Sequence, residues 1–220
     1  MEPDLIERDR LAILRLDGAT NMRLDAELLE AAERGTPGWR VYCWAGVWVS
    51  VGRFESVEKD LVDPEHTRWV RRPTGGKAVL HGHDTTIGCA LPLSMLASSD
   101  HRSIKSVYRA IVGPVVVALR VCGLDAELAE DTPFHGKGIP SGDCFAFSSP
   151  NDVVHRLTGR KLCGCALRLT DSAVLLQASI PNGAPLVEPA SVIVNADLLD
   201  PVEWDDRGLE QALAASLGVS

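Results

Sequence analysis

The 220-residue chain has no long hydrophobic run. Stretches such as Val115–Leu119 and Ala173–Leu176 fall far short of the ~20 apolar residues of a membrane-spanning helix. The opening Met1-Glu2-Pro3-Asp4 is followed by no apolar signal core, which argues against secretion and for the cytoplasm. A basic excess is also missing. Lys and Arg number 22 against 30 Asp and Glu, a formal charge of −8, so neither nucleic acid nor a membrane surface is an expected partner. The six cysteines form no CxxC pair. Without a signal segment they read as free thiols. Cys163 and Cys165 lack a second ligand pair nearby, so zinc is not expected. Internal repeats and low-complexity linkers are absent too, and the whole of residues 1–220 reads as a single domain.

What is present is ordinary globular material, 45% hydrophobic and 24% charged, enough to bury a core without staples. Leu11–Leu16 reads as a strand, and Thr20 or Asn21 as the cap of a helix over Met22–Arg34 that Gly35 and Pro37 end. Trp39–Val51 reads as a hairpin about Gly46. Trp69–Arg71, Ala78–Leu80 and Ile87–Leu91 read as extended pieces. Val107, Ile111, Val115 and Leu119 recur every four residues, predicting a helix over Ser103–Cys122 with a kink or late start at Pro114. A loop of ~20 residues follows, through Pro133, Gly136, Gly138, Pro140 and Gly142. Asp152–Arg156, Lys161–Leu169 and Ala173–Ile180 then form a three-stranded meander, and Glu203–Leu217 an amphipathic helix. Sequential strands mixed with helices predict an α+β fold with a mixed, mainly antiparallel sheet flanked by helices.

Two segments carry chemistry. In Arg71-Arg72-Pro73-Thr74-Gly75-Gly76-Lys77-Ala78-Val79-Leu80-His81, paired glycines allow close backbone approach to a ligand, and the cations around them suit a carboxylate or phosphate. A glycine-rich turn with solvated bases is the plainer alternative. The segment matches neither a Walker loop nor a dinucleotide fingerprint. The second segment runs from Asp143-Cys144-Phe145 through Asn151-Asp152 to Gly159-Arg160-Lys161-Leu162-Cys163-Gly164-Cys165-Ala166. Lys161 opens an apolar strand and either snorkels to solvent or reaches into a pocket. Gly164 inside that strand marks close approach by a ligand or another backbone. Cys144 reads more simply as a packed, inert thiol than as a nucleophile. Lys161 is the cation that would change this by lowering its pKa. For His81 and His83, hydrogen-bonding or packing roles are favoured over a metal. Asp84 reads as a cap of the turn after His83, and Asn21 and Asp25 as facing solvent or capping their helix.

Taken in order, these segments resemble the lipoate–protein ligase A family and the cysteine-dependent octanoyltransferases related to it. Asn21-Met22 with Asp25, Val51-Gly52-Arg53-Phe54, Arg71 through His81, Cys144-Phe145, Asn151-Asp152 and Gly159 through Ala166 carry the likeness, which covers most of the chain. The resemblance implies the biotin/lipoyl ligase catalytic fold, as one catalytic domain without a separate C-terminal accessory domain. It implies catalytic roles for Cys144, as nucleophile, and Lys161, at the acyl carbonyl. It implies substrate binding by Arg72, Thr74, Gly75, Gly76, Lys77, Ala78, Val79, Leu80, His81 and Gly164, and no metal site. The implied reaction is octanoyl transfer from acyl carrier protein to a lysine of a lipoyl domain, without a cofactor. The acceptor would be a 2-oxoacid dehydrogenase E2 or a glycine-cleavage H protein. Arg71, Arg72, Lys77, Lys137, Arg160 and Arg168 would steer the acidic carrier. An ATP- and Mg-dependent lipoate ligase is the second reading, and a non-catalytic acyl-binding relative the third. Gly82-His83-Asp84-Thr85-Thr86 departs from the ligases' pattern, and Gln177-Ala178-Ser179-Ile180 lacks the family's usual histidine.

Overall fold

In the computed structural model, the structure describes residues 13–96, 103–138, 141–196 and 202–218. Strand β1 (Leu14–Leu16) leads into helix α1 (Gly18–Glu33), and β2 (Gly38–Trp44) and β3 (Trp48–Val51) follow. A short α2 (Val57–Asp60) precedes β4 (Trp69–Arg71), β5 (Val79–His81) and β6 (Asp84–Pro92). Then come α3 (Ile104–Val121), β7 (Ala126–Leu128), β8 (Lys137–Gly138) and β9 (Phe147–Ser148). Strands β10 (Val153–His155), β11 (Lys161–Leu169) and β12 (Ala173–Pro181) and helix α4 (Leu209–Leu217) complete the order.

Asp17 starts α1, not Thr20 or Asn21, because its carboxylate accepts from the Thr20 amide at 2.9 Å and satisfies an orphan donor of the first turn. The helix ends where expected: the Gly35 and Thr36 amides bond back to the Ala32 and Ala31 carbonyls, a Schellman closure. Helix α3 is capped by Ser103 and runs through Pro114 without a late start. Val107, Ile111, Val115 and Leu119 form its fully buried stripe. The final helix is shorter than its sequence pattern, beginning at Leu209 after Gly208 rather than at Glu203. Of the expected first strand, Leu11 and Ala12 lie outside the described residues.

A seven-stranded sheet, in the order β1-β2-β6-β12-β11-β10-β7, forms the body. Its neighbours are antiparallel except for the parallel pair β1–β2. Helices α3 and α4 cover one face through Val107, Ile111, Leu119, Leu209 and Leu213. Helix α1 covers the other, where Leu29 and Ala32 meet Ala90 and Leu175. Strand β6 is therefore buried along its whole length, which explains why Ile87–Leu91 reads as continuously apolar rather than alternating.

The expected hairpin about Gly46 does not form. Strand β2 pairs with β1 and β6, whereas β3 pairs with β4 and β5 in a separate three-stranded sheet. The chain changes sheets at Gly46 and again at Gly82 between β5 and β6. The long loop is also partly structured, because β7 adds to the edge of the large sheet and β8 pairs with β9. The meander of β10, β11 and β12 is as expected. Among the described residues no helix is long and apolar enough to cross a membrane.

Truncating Leu119→Ala removes a fully buried side chain of α3, and a loss of about 2–5 kcal/mol is expected in urea unfolding. A change within error would show that the α3 face is not the main core.

Candidate active site

The sheet junction places the two chemical segments side by side. Glycine-loop residue Ala78 accepts from the Cys144 amide at 2.8 Å and donates its own amide to the Gly142 carbonyl at 2.8 Å. Main-chain bonds thus fix the start of the Cys144–Ala146 turn against the loop. Asp143 caps that turn by accepting from the Phe145 amide. On the other side, Gly164 of β11 faces the thiol. A Cβ there would stand 3.0 Å from Cys144 Sγ, so glycine is what lets the sulfur sit against the strand.

Lys161 does not snorkel. It is 7% exposed, and its Nζ lies 3.5 Å from Cys144 Sγ. The ammonium donates to the Cys144 carbonyl at 2.6 Å, the Phe147 carbonyl at 3.0 Å and Asp152 Oδ2 at 2.8 Å. Asp152 is fixed in turn, accepting from the Ser149 amide and hydroxyl and from the Cys165 amide. Burial disfavours the ammonium, but the Cys144 and Asp152 charges outweigh it and hold the Lys161 pKa above the usual lysine value. Burial pushes the Cys144 thiol up, and Lys161 is the main opposing influence. The resting pair is a thiol beside a fixed ammonium, ready to stabilise negative charge on sulfur.

The cations of the glycine loop are held by protein partners, and Arg72 alone of the three is buried. Arg72 is buried, with Nε and Nη2 on the Gly75 carbonyl, Nη2 also on the Lys77 carbonyl, and Nη1 on the Ser50 carbonyl and hydroxyl. All its N–H groups have protein partners, so it lends charge rather than a free donor, contrary to a role in carrier docking. Arg71 donates to the Gly52 and Glu55 carbonyls, and Lys77 pairs with Glu55. Gly76 has φ +87° and sits so close to Gly52 that a Cβ on Gly52 would meet the Gly76 oxygen. Two turns are locked by backbone contact that no side chain would permit.

A pocket of about 410 Å³, including open space at its mouth, lies between these parts. Cys144, Gly164, Arg72, Gly76, Val79 and His81 line it, together with Met22, Tyr42, Trp44, Ser50, Gln177 and Ser179. The other expected binding residues do not line it. Thr74 donates to Gln177, Gly75 serves Arg72, Lys77 faces Glu55, and Ala78 and Leu80 pack into the apolar cluster of the small sheet. Burial and the nearby Cys165 raise the Tyr108 pKa, and the contact with Cys163 together with burial raises that of Cys165.

Three residues with the sequence character of caps or surface groups, Asn21, Asp25 and Asp84, are buried in polar networks. Asn21 and Asp25 are fully buried rather than solvent-facing. Asp25 accepts from Arg40, Tyr42 and Gln177, and burial raises its pKa against the pull of Arg40. Asp84 does not simply cap a turn. Its Oδ2 receives His81 Nδ1 at 2.7 Å, Ser179 Oγ at 2.7 Å and Thr86 Oγ1 at 3.0 Å. Burial favours its neutral form, yet His81 and Ser179 hold it down to about 2. Cys163 Sγ and Cys165 Sγ lie 3.6 Å apart inside the core. Among the described residues no group of three or more His, Cys, Asp or Glu is arranged to hold a metal.

Residues 17–195 match the lipoyl protein ligase A/B catalytic domain. The chain belongs to that family. Within this lipoyl ligase family, similar proteins include the octanoyltransferase LipM of Anoxybacillus flavithermus, 34% identical over 173 residues, covering 74% of this chain and 60% of the relative. The octanoyltransferase LipM of Bacillus subtilis is 31% identical over 176 residues, covering 74% of this chain and 60% of the relative. The chain thus matches about 60% of the length of these curated relatives. A crystal structure of lipoate–protein ligase A bound with ATP superposes with a TM-score of 0.67 at 23% identity, covering 94% of this chain and 87% of that one. A bi-partite lipoate protein ligase from Thermoplasma acidophilum gives a TM-score of 0.65 at 22% identity, covering 94% and 83%. These structures establish the lipoyl ligase fold.

Two predictions follow from the site's electrostatics. Because Lys161 lowers the pKa of a thiol that burial raises, the pH midpoint for alkylation of Cys144, read by peptide mass spectrometry, lies above the ordinary thiol range. Lys161→Ala moves it further up; a downward move would refute the pairing. Asp84, depressed from 3.8 to about 2, contributes stability that is present above the unfolded value and lost as pH falls through the folded one. The expected contribution is about 2 kcal/mol. Comparing Asp84→Asn with the parent in urea should show a gap near neutrality that closes as pH approaches 2.

Proposed function

We propose that this chain transfers an octanoyl group from acyl carrier protein to a lysine of a lipoyl domain through a Cys144 acyl-enzyme. The observation that carries this reading is the 3.5 Å approach of Lys161 Nζ to Cys144 Sγ at the wall of the pocket. A ligase forming an acyl-adenylate has no need of a thiol there. The likeness to LipM octanoyltransferases supports the same choice.

In the first half-reaction the Cys144 sulfur attacks the octanoyl thioester carbon, and the carrier's thiol leaves with the proton. The Lys161 ammonium, through its charge, and backbone amides near Gly75-Gly76 stabilise the oxyanion. The acyl chain lies along the apolar part of the pocket, against Met22, Trp44, Val79 and Ala178. In the second half-reaction the ε-amine of the lipoyl-domain lysine takes the acyl group as an amide. An E2 subunit of a 2-oxoacid dehydrogenase or a glycine-cleavage H protein supplies that lysine. This chemistry uses no cofactor. A single catalytic domain over residues 1–220 belongs to the proposal, supported by the family match over 17–195. A reducing cytoplasm suits the free thiols of Cys43, Cys89, Cys122, Cys144, Cys163 and Cys165. ATP- and Mg-dependent lipoate ligation remains the second reading, favoured by the ATP-bound structure of the same fold.

The deciding experiment is the intact mass of a purified lipoyl domain after incubation with this protein. One tube holds octanoyl–acyl carrier protein without ATP, and the other holds free octanoate or lipoate with Mg-ATP. The expected result is modification in the first tube alone, with an acyl adduct on the protein that Cys144→Ala abolishes. Modification in the second alone, surviving that substitution, would establish the ligase and leave Cys144 a packing residue.

A further inference from the structure

Amide formation from a lysine side chain releases protons, and Lys161 is badly placed to receive one. Its Nζ already directs hydrogen bonds at three oxygens, the Cys144 and Phe147 carbonyls and Asp152. The pocket wall that carries Cys144 holds a proton-handling group of its own. His81 Nε2 lies 2.8 Å from Ser50 Oγ, and His81 Nδ1 lies 2.7 Å from Asp84 Oδ2. The ring is stacked on Trp44 at a centroid distance of 3.8 Å and an interplanar angle of 14°. Arg72 Nη1 donates to Ser50 Oγ at 3.2 Å, which turns the Ser50 O–H toward His81 Nε2. Asp84 has further donors in Ser179 and Thr86 and therefore acts as an acceptor for His81 Nδ1–H. Ser50 and His81 are both nearly inaccessible from outside yet line the pocket with Cys144. Ser50 and His81 stand on the small sheet and Asp84 on the large one. The relay is built across the junction where the chain changes sheets.

We propose that Ser50, His81 and Asp84 form the proton acceptor of the amide-forming half-reaction. This rests on the transferase reading above. The attacking nitrogen forms the C–N bond as the C–S bond to Cys144 breaks. Of the two protons lost by the incoming ammonium, one passes to Ser50 Oγ as the Ser50 proton moves to His81 Nε2. The other goes to the departing Cys144 sulfur, which Lys161 steadies. His81 later releases its proton to water in the emptied pocket. Ser50 is the group that touches the amine; His81 and Asp84 position it and draw off its proton, an arrangement familiar in nucleophile–base–carboxylate relays.

The test separates the two half-reactions. Acyl-enzyme is formed with octanoyl–acyl carrier protein and followed by intact mass, then chased with a lipoyl domain or with hydroxylamine, an amine that is already neutral near neutral pH. For His81→Gln the expected loss is about 100-fold in transfer to the lipoyl domain. Acylation of Cys144 should fall at least ~10-fold less, and the hydroxylamine chase should be largely restored. Equal losses in both half-reactions, or a hydroxylamine chase as slow as the lysine transfer, would overturn the relay and leave His81 a packing residue. Ser50→Ala is the second variant, expected to show the same selective loss, smaller in size. If His81→Gln fails to fold, absence of that selectivity in Ser50→Ala overturns the proposal. Failure of the unsubstituted protein to form any Cys144 acyl-enzyme would instead sink the transferase reading, and this inference with it.

Discussion

One buried ammonium organises the site. Lys161 holds the Cys144–Ala146 turn through the Cys144 carbonyl, the following strand through Phe147, and the loop before β10 through Asp152. A positive charge taken out of water is tolerable only with such a set of partners. The surrounding oxygens are therefore a structural requirement of the lysine, and the lysine is a structural requirement of the turn. The thiol inherits its position and its electrostatic surroundings from that mutual dependence. Replacing either partner disturbs geometry and charge together.

A second buried charge system reaches the pocket through Tyr42 and Gln177. Asp25 gathers Arg40, Tyr42 and Gln177, and Gln177 passes the connection to Thr74 of the glycine loop. Helix α1, strands β2 and β12 and the loop are thereby coupled through polar contacts in an otherwise apolar body. Gln177 serves as a two-ended bridge with both amide atoms bonded. Asp84 does the same at the sheet junction, joining β5, β6 and β12 through His81, Thr86 and Ser179.

The sequence made the architecture readable wherever the signal was local. The stripe of α3 and the three strands of the β10-β11-β12 meander stand where periodicity places them. The apparent hairpin at Gly46 failed because β propensity describes strands and not their partners. Here β2 and β3 look alike in sequence yet belong to different sheets. The start of α1 was misplaced by several residues because Thr20 and Asn21 are good caps in type, while Asp17 has the geometry. At the site, Cys144, Lys161 and Gly164 were visible as residues of the right chemistry, but their approach depends on the Ala78–Cys144 backbone bridge, a long-range contact. Asn21, Asp25 and Asp84 looked like surface or capping groups because a lone acid or amide gives no sign of burial. Arg72 looked like a ligand donor, since charge beside glycines does not reveal which way a guanidinium faces.

The inward turn of Arg72 has a consequence for how the pocket meets its ligand. With the guanidinium bonded to the loop's own carbonyls, the loop is shaped during folding and not by what enters. Little chain entropy is left to lose on binding, and selectivity falls to the contour of the cavity rather than to induced adjustment. Such a rigid mould discriminates by length and width, as a gauge does, and is insensitive to chemical variation at parts of a ligand that project beyond its mouth.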